Sequence, residues 1–265
     1  PQYKLILKYH RRKQQVKKMT TTKNEKPCAG RFMLLLIFLF SLHLERSFAQ
    51  QKNYFQQIVD YKIEVTLDDE NHLLQGKISM QYTNKSPDVL DRIGMHLWPN
   101  AFSNKNTEFG KQKLLHRKTK FYDAKPDELG SIQNLRFTVN KDEVRLEYLK
   151  NKPDQAWLHL KNPLLPGNTI IIETPFTVKI PVSFSRLGHV GQTYQITQWY
   201  PKPAVYDHKG WHLMPNLDQG EFYSEFGNFE VSIKIPENYV VGATGTLETE
   251  TEKEFLKQRI SLTDQ

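Results

Sequence analysis

The chain has 265 residues, 38% of them hydrophobic and 25% charged, with a net charge of +8 and a single cysteine. Ten Lys/Arg and one acid, Glu25, lie in residues 1–31, so that stretch carries +9 while residues 50–265 carry −1. A near-neutral body excludes a nucleic-acid-binding surface as the explanation of the charge, and Cys28, far upstream of the body, excludes disulfides, thiolate chemistry and cysteine metal sites there.

In chain order, residues 1–18 precede the first methionine, Met19, and are set outside the fold as an upstream or artefactual segment. Met19 opens a basic stretch with Lys23, Lys26 and Arg31, followed by the apolar run FMLLLIFLFSL at 32–42. That run falls short of the roughly 20 residues of a membrane span and suits a signal-peptide core. The small residues of SFA (47–49) place the expected cleavage after Ala49. Residues 19–49 therefore read as a signal peptide, and the body is expected to be exported, periplasmic or extracellular, with no membrane contact beyond the leader.

The body reads as all-β. YKIEVTL (61–67) alternates with period two, which puts Tyr61, Ile63, Val65 and Leu67 on one face of a strand. DDENH (68–72) is turn chemistry, and a second strand follows through Ile78, Met80 and Tyr82. After the turn NKSPD (84–88), Leu90 to Leu97 reads as a third strand. LRFTVNKDEVRLEYL (135–149) predicts a hairpin about NKDE. AWLHL (156–160), TIIIETPFTVKI (169–180) and NFEVSIKI (228–235) extend the pattern, with NPLLPGN (162–168) as a turn between two of them. FLKQRISL (255–262) alternates like a last strand, and no segment shows a long 3.6-residue period. Residues 98–131 and 199–227 are the longest irregular stretches, a length associated with function. The expected architecture is an antiparallel sandwich-like or saddle-shaped assembly over residues 50–265, read as one domain truncated before a further one.

Chemistry-bearing motifs are sparse. The body has no HExxH helix, glycine-rich phosphate loop or GxSxG elbow. His208 and His212, flanked by Asp207, Asp218 and Glu221, have zinc spacing only on a helix, and Gly210 and Pro215 oppose one. Glu221 and Glu225 are a carboxylate pair whose use in acid–base work requires a defined separation across a substrate. The densest feature is YQITQWYPKPAVYDHKGWH (194–212). Its Trp199, Tyr200, Tyr206 and Trp211 suit either a stacking wall or the packing of the loop onto the sheet, and Pro201 and Pro203 stiffen it.

YKIEVTLDDENHLLQGKISMQYTNKSPDVLDRIGMHLWPNAF (61–102), PLLPGNTIIIETPFTVKIP (163–181), QWYPKPAVYDHKGWH (198–212) and GEFYSEFGNFEVSIKIPENYVVGATG (220–245) together resemble the aminopeptidase-N-type zinc metallopeptidases, in their bacterial exported branch. The resemblance implies the family's N-terminal β domain. Zinc and the HExxH catalytic residues would then lie in a following domain, with no catalytic or metal-binding residue in this chain, which alone would be inactive. It also implies a Gln or Glu that holds the free amine of a peptide substrate, twelve residues before an Asp. Counting back from Asp207 gives Gln195, with Gln198 as the alternative, although AVYD (204–207) departs from the family's PCFD-like end. Trp199, Tyr200 and Trp211 would shape the first side-chain pocket, and the implied partners are peptide substrates and the chain's own catalytic domain. The competing reading is a stand-alone exported β-sandwich module that binds a glycan or peptide through its aromatic loop.

Overall fold

The computed structural model describes residues 2–7 and 54–263. The expected signal peptide, residues 19–49, and its cleavage point lie outside them. Strand β1 is Gln2–Leu7, β2 Ile58–Asp68, β3 Leu73–Thr83 and β4 Leu90–His96. A 3-10 helix, Trp98–Phe102, and helix α1, Glu108–Leu115, follow. Then come β5 Ser131–Gln133, β6 Thr138–Val139, β7 Asp142–Glu143, β8 Leu146–Leu149, β9 Lys152–Leu164 and β10 Thr169–Lys179. Five short strands precede the last helix: β11 Gly188–Val190, β12 Thr193–Gln195, β13 Lys202–Pro203, β14 Val205–Asp207 and β15 Gly210–His212. β16 is Phe229–Lys234, β17 Thr246–Leu247 and helix α2 Glu250–Thr263.

The all-β expectation holds. A nine-stranded sheet runs β17-β1-β16-β2-β3-β10-β6-β7, with β5 also on β10, and a four-stranded sheet runs β13-β4-β9-β8. Its pairings are antiparallel except β16 on β2, which is parallel. Period-two alternation explains the frame. Val59, Tyr61, Ile63, Val65 and Leu67 of β2 face Ile78, Met80 and Tyr82 of β3 and Ile170, Ile172, Phe176 and Val178 of β10 in one buried cluster. Ile93, Met95, Ala156 and Leu158 of the smaller sheet join the same cluster, so the two sheets share a core. Each fully buried Ile or Met contributes about 1.5–3 kcal/mol. The predicted turn at 68–72 forms where Asp68 Oδ1 accepts the Asn71 N–H at 3.0 Å.

Four expectations change. The alternating FLKQRISL lies inside α2, because its Lys, Gln, Arg and Leu are strong helix formers and its Phe255, Ile260 and Leu262 are exposed, with no sheet face to fill. The 135–149 hairpin is split between the sheets: β6 and β7 pair across Asn140 and Lys141, while β8 leaves to pair with β9. Asn140 and Lys141 both have positive φ, 50° and 74°, the tight two-residue geometry that matches strand twist. Residues 98–131 hold a helix too short to show a period. There Phe102, Phe109 and Phe121 gather with Phe184 and Leu187 in a second core. Finally Gln2–Leu7, set aside in the sequence reading, is a strand of the large sheet, because Tyr3 and Leu5 alternate with polar Gln2 and Lys4 and are both buried.

Candidate functional site

The segment 194–225 supplies β12 to a two-stranded sheet, β13 to the four-stranded sheet, and the β14–β15 hairpin. Gln195 ends β12, opposite Gly188 of β11, and is exposed. Gln198 has a left-handed φ of 55°, an uncommon conformation for a residue with a Cβ. That turn sends Trp199 and Tyr200 inward. Trp199 packs on Phe176 (5.9 Å between ring centroids), and Tyr200 packs edge-on against Tyr61 (5.7 Å) and Phe229 (5.9 Å). Both are half-buried. Trp211, on β15, lies against Tyr206 (4.9 Å) and Trp157 (6.2 Å). It also covers Gly94: a Cβ there would stand 3.0 Å from the indole. The aromatics thus fasten the loop to the sheets, Trp199 and Tyr200 on one side and Trp211 on the other.

Beneath the loop lies a feature that sequence reasoning missed. Lys202 of β13 pairs with His96 of β4, and His96 pairs with Gln155 of β9. Residues directly opposite share a face, so three polar side chains stand in a row across three strands. All are buried, Lys202 at 2% exposure and His96 and Gln155 at 0%. The Lys202 ammonium donates to Gln198 Oε1 and sits 3.9 Å from the centre of the Trp98 ring, a cation–π contact. Burial lowers the Lys202 pKa from its ordinary 10.5 to about 7. His96 is pushed down to about 3, first by burial and then by the charge of Lys202, so it is neutral at physiological pH. Its Nε2 accepts the Met214 N–H at 3.1 Å, while Trp98 Nε1 donates to Met214 O at 3.0 Å. Asp154 Oδ2 accepts the Asn216 N–H at 2.8 Å. Residues 214–216 are therefore pinned over the row by three hydrogen bonds, from β4, β9 and the 3-10 helix.

This geometry separates the two candidate glutamines. An ammonium has only donors to offer, so Lys202 engages the amide oxygen of Gln198 and leaves its NH2 for another partner. A ligand meeting Gln198 would find an N–H donor beside a buried cation, which suits a carbonyl or carboxylate better than an amine. Gln195 lies outside the Lys202 contact.

The remaining candidates divide by environment. His208 is exposed, and His212 Nε2 lies 2.8 Å from Asp207 Oδ1. Asp218 is instead drawn to Lys113 (3.2 Å) and Lys118 (3.1 Å). Among the described residues no group of three or more His, Cys, Asp or Glu is placed to hold a metal ion. Glu221 is exposed whereas Glu225 is 7% exposed, so the carboxylate pair does not share one setting. Burial raises Glu225 to about 7, against hydrogen bonds from Tyr206 and Gln57 backbone and the Gln56 side chain. The sequence signal for Lys202 was its place between two prolines in a run of apolar residues; nothing local marked His96 or Gln155 as its neighbours.

Among the described residues no helix is long and apolar enough to cross a membrane. No family model matches the chain, and no curated protein matches it. Solved structures give distant likenesses. A substrate-bound M1 zinc metallopeptidase from Deinococcus radiodurans has a TM-score of 0.41 and 14% identity over 73% of this chain. An M1 zinc metallopeptidase structure from the same organism has a TM-score of 0.39 and 15% identity over 75% of it. The chain spans 36% of the length of each. A likeness at that level fixes neither the fold nor the activity.

Proposed function

We propose that this chain is the substrate-groove domain of an exported zinc metallo-aminopeptidase, a hydrolase that removes N-terminal residues from peptides. Zinc and the HExxH residues belong to polypeptide beyond residue 265, and this portion alone is inactive. The observation that carries the reading is the ordered set of stretches 61–102, 163–181, 198–212 and 220–245, which resembles that family's N-terminal domain. On this reading each part of 194–212 has a role. Gln195, exposed at the end of β12, presents its amide to the substrate amine. Trp199, Tyr200 and Trp211 form the wall of the first side-chain pocket while their buried edges hold the loop on the sheets. Gln198, engaged by Lys202, faces the backbone carbonyl side of the peptide.

A stand-alone glycan-binding module would want an aromatic face open to a sugar ring. Trp199, Tyr200 and Trp211 are each half-buried against other rings, which counts against an open sugar platform. The test is the aminopeptidase activity of the protein expressed from its own gene on aminoacyl p-nitroanilides. Gln195→Ala is expected to lower kcat/KM at least tenfold, and Gln198→Ala to act less on the amine and more on peptide length. Unchanged kcat/KM for Gln195→Ala refutes the amine-binding role. Micromolar oligosaccharide binding by calorimetry, without peptidase activity, establishes the module instead.

A further inference from the structure

Strand β1 occupies an unusual place. It is inserted between β16 and β17, with six antiparallel residue pairs on the first and two on the second. β16 and β17 are joined in the sheet through β1. Without β1, two strand edges would face each other across a gap of about 9.6 Å, two strand spacings of ~4.8 Å, the width that admits one strand. Open edges of this kind are templates for further pairing.

The chemistry of the gap is read from its present occupant. Backbone groups are served by the β16 ladder on one side and beyond β17 on the other, where Glu248 N–H donates to Lys4 O at 2.7 Å, Lys4 N–H donates to Thr249 Oγ1 at 3.0 Å, and that hydroxyl donates to Gln2 O at 3.0 Å. Inward, Tyr3 and Leu5 stand opposite Ile233 and Val231 and are buried. The Tyr3 hydroxyl donates to Tyr239 O at 3.2 Å. Outward, the Lys4 ammonium lies 3.0 Å from Glu230. Main-chain bonding with pockets for alternate side chains is the physics of peptide recognition by strand addition. β1 contributes little else to the fold: two buried apolar side chains, where β2 buries five. Residues 8–57 separate it from β2 in the sequence.

We propose that the gap between β16 and β17 is an acceptor site for an extended peptide segment of a partner protein, and that Gln2–Leu7 fills it in the uncut chain. The segment lies antiparallel to Phe229–Lys234, with an aromatic and an aliphatic side chain at alternate inward positions and a cation between them facing Glu230. Only the moment of opening, removal of the leader, rests on the export reading above. The site itself does not.

The test uses the full chain with β1 disabled, as Tyr3→Asp/Leu5→Asp and separately as Leu5→Pro, which breaks the ladder without adding charge. The probe is a fluorescein-labelled peptide of sequence QYKLIL, followed by anisotropy. Both variants are expected to bind it saturably, and the unaltered chain, whose own strand competes, at least tenfold more weakly. A probe with Asp at its second and fourth positions is expected not to bind. If either variant loses its near-UV circular dichroism, recovery on adding QYKLIL counts as binding in trans. Folded variants that do not bind, unfolded variants that the peptide does not restore, or equal binding by the unaltered chain overturn the proposal. An unaltered chain that forms a dimer dispersed by QYKLIL makes the occupant a second copy, which also overturns it. N-terminal sequencing of the protein from cells separates the export reading: a retained leader removes the moment of opening and leaves the binding result standing.

Discussion

Strands β2, β3 and β10 and the segment 194–225 are built on opposite principles. The three strands bury one face of aliphatic and aromatic side chains, and their eleven-residue registers run without a shift. The segment has short strands of two or three residues and is held by buried polar groups: Lys202 on Gln198, His96 and Asp154 on the backbone of 214–216, and Glu225 on Tyr206 and Gln57. The first construction depends on burial area and is indifferent to pH. The second depends on charge state, so it responds to conditions the frame ignores.

The largest expected effect lies in the frame. Ile172→Ala, at a fully buried position of β10, is expected to cost about 4 kcal/mol, as a lost transfer energy plus a cavity. Urea unfolding at pH 6 and pH 9 checks it, with the same loss at both. Next comes the seam between frame and segment, where a Cβ on Gly227 would stand 1.6 Å from Val59 O. Gly227→Ala must move β2 or the chain entering β16, at a cost of about 3 kcal/mol, read from the same unfolding curves. A loss under about 0.5 kcal/mol would contradict the close approach.

The segment gives the pH signature. Lys202 has a folded pKa of about 7 against 10.5 unfolded, so between those values the unfolded chain binds more protons and stability rises with pH. Below pH 7 both states are protonated and the lysine adds no slope. The unaltered chain is expected to gain roughly 2 kcal/mol between pH 7 and pH 9, and Lys202→Met to lack that gain. Glu225 acts in a separate window: its raised pKa favours the folded state below about pH 7 and that contribution is lost as pH climbs from its ordinary 4.5 to 7. The smallest effect returns to the frame. Lys141→Gly, at φ 74° in the β6–β7 turn, is expected to stabilise by about 0.5–1 kcal/mol, because glycine adopts that conformation without steric cost. Thermal unfolding reads it as a rise of a few degrees in Tm.

The same contrast explains what was legible in the sequence. Tyr61 to Leu67 and Thr169 to Ile180 announce their strands because a half-buried strand writes its burial into every second residue. The Phe102–Phe109–Phe121–Phe184 cluster was invisible, since its members come from a 3-10 helix, α1 and two irregular stretches and share no period. α2 was misread because two short periodicities overlap in eight residues and only its exposure decides between them. In the candidate site, the aromatic stretch drew notice by composition alone. Lys202, His96 and Gln155 did not, because their row exists only once three strands distant in sequence are in register. β1 was set aside on its position before Met19, although its alternation of Tyr3 and Leu5 was already there to read.

The central claim is that this domain forms the groove of a peptidase whose zinc site follows it. The most direct measurement is to read the coding sequence beyond codon 265. An open frame leading into an HExxH motif with a further downstream Glu is the predicted result, and purified product should then release amino acids from peptide N-termini in a zinc-dependent manner. A stop codon directly after codon 265, with a folded product that has no peptidase activity, would contradict the account.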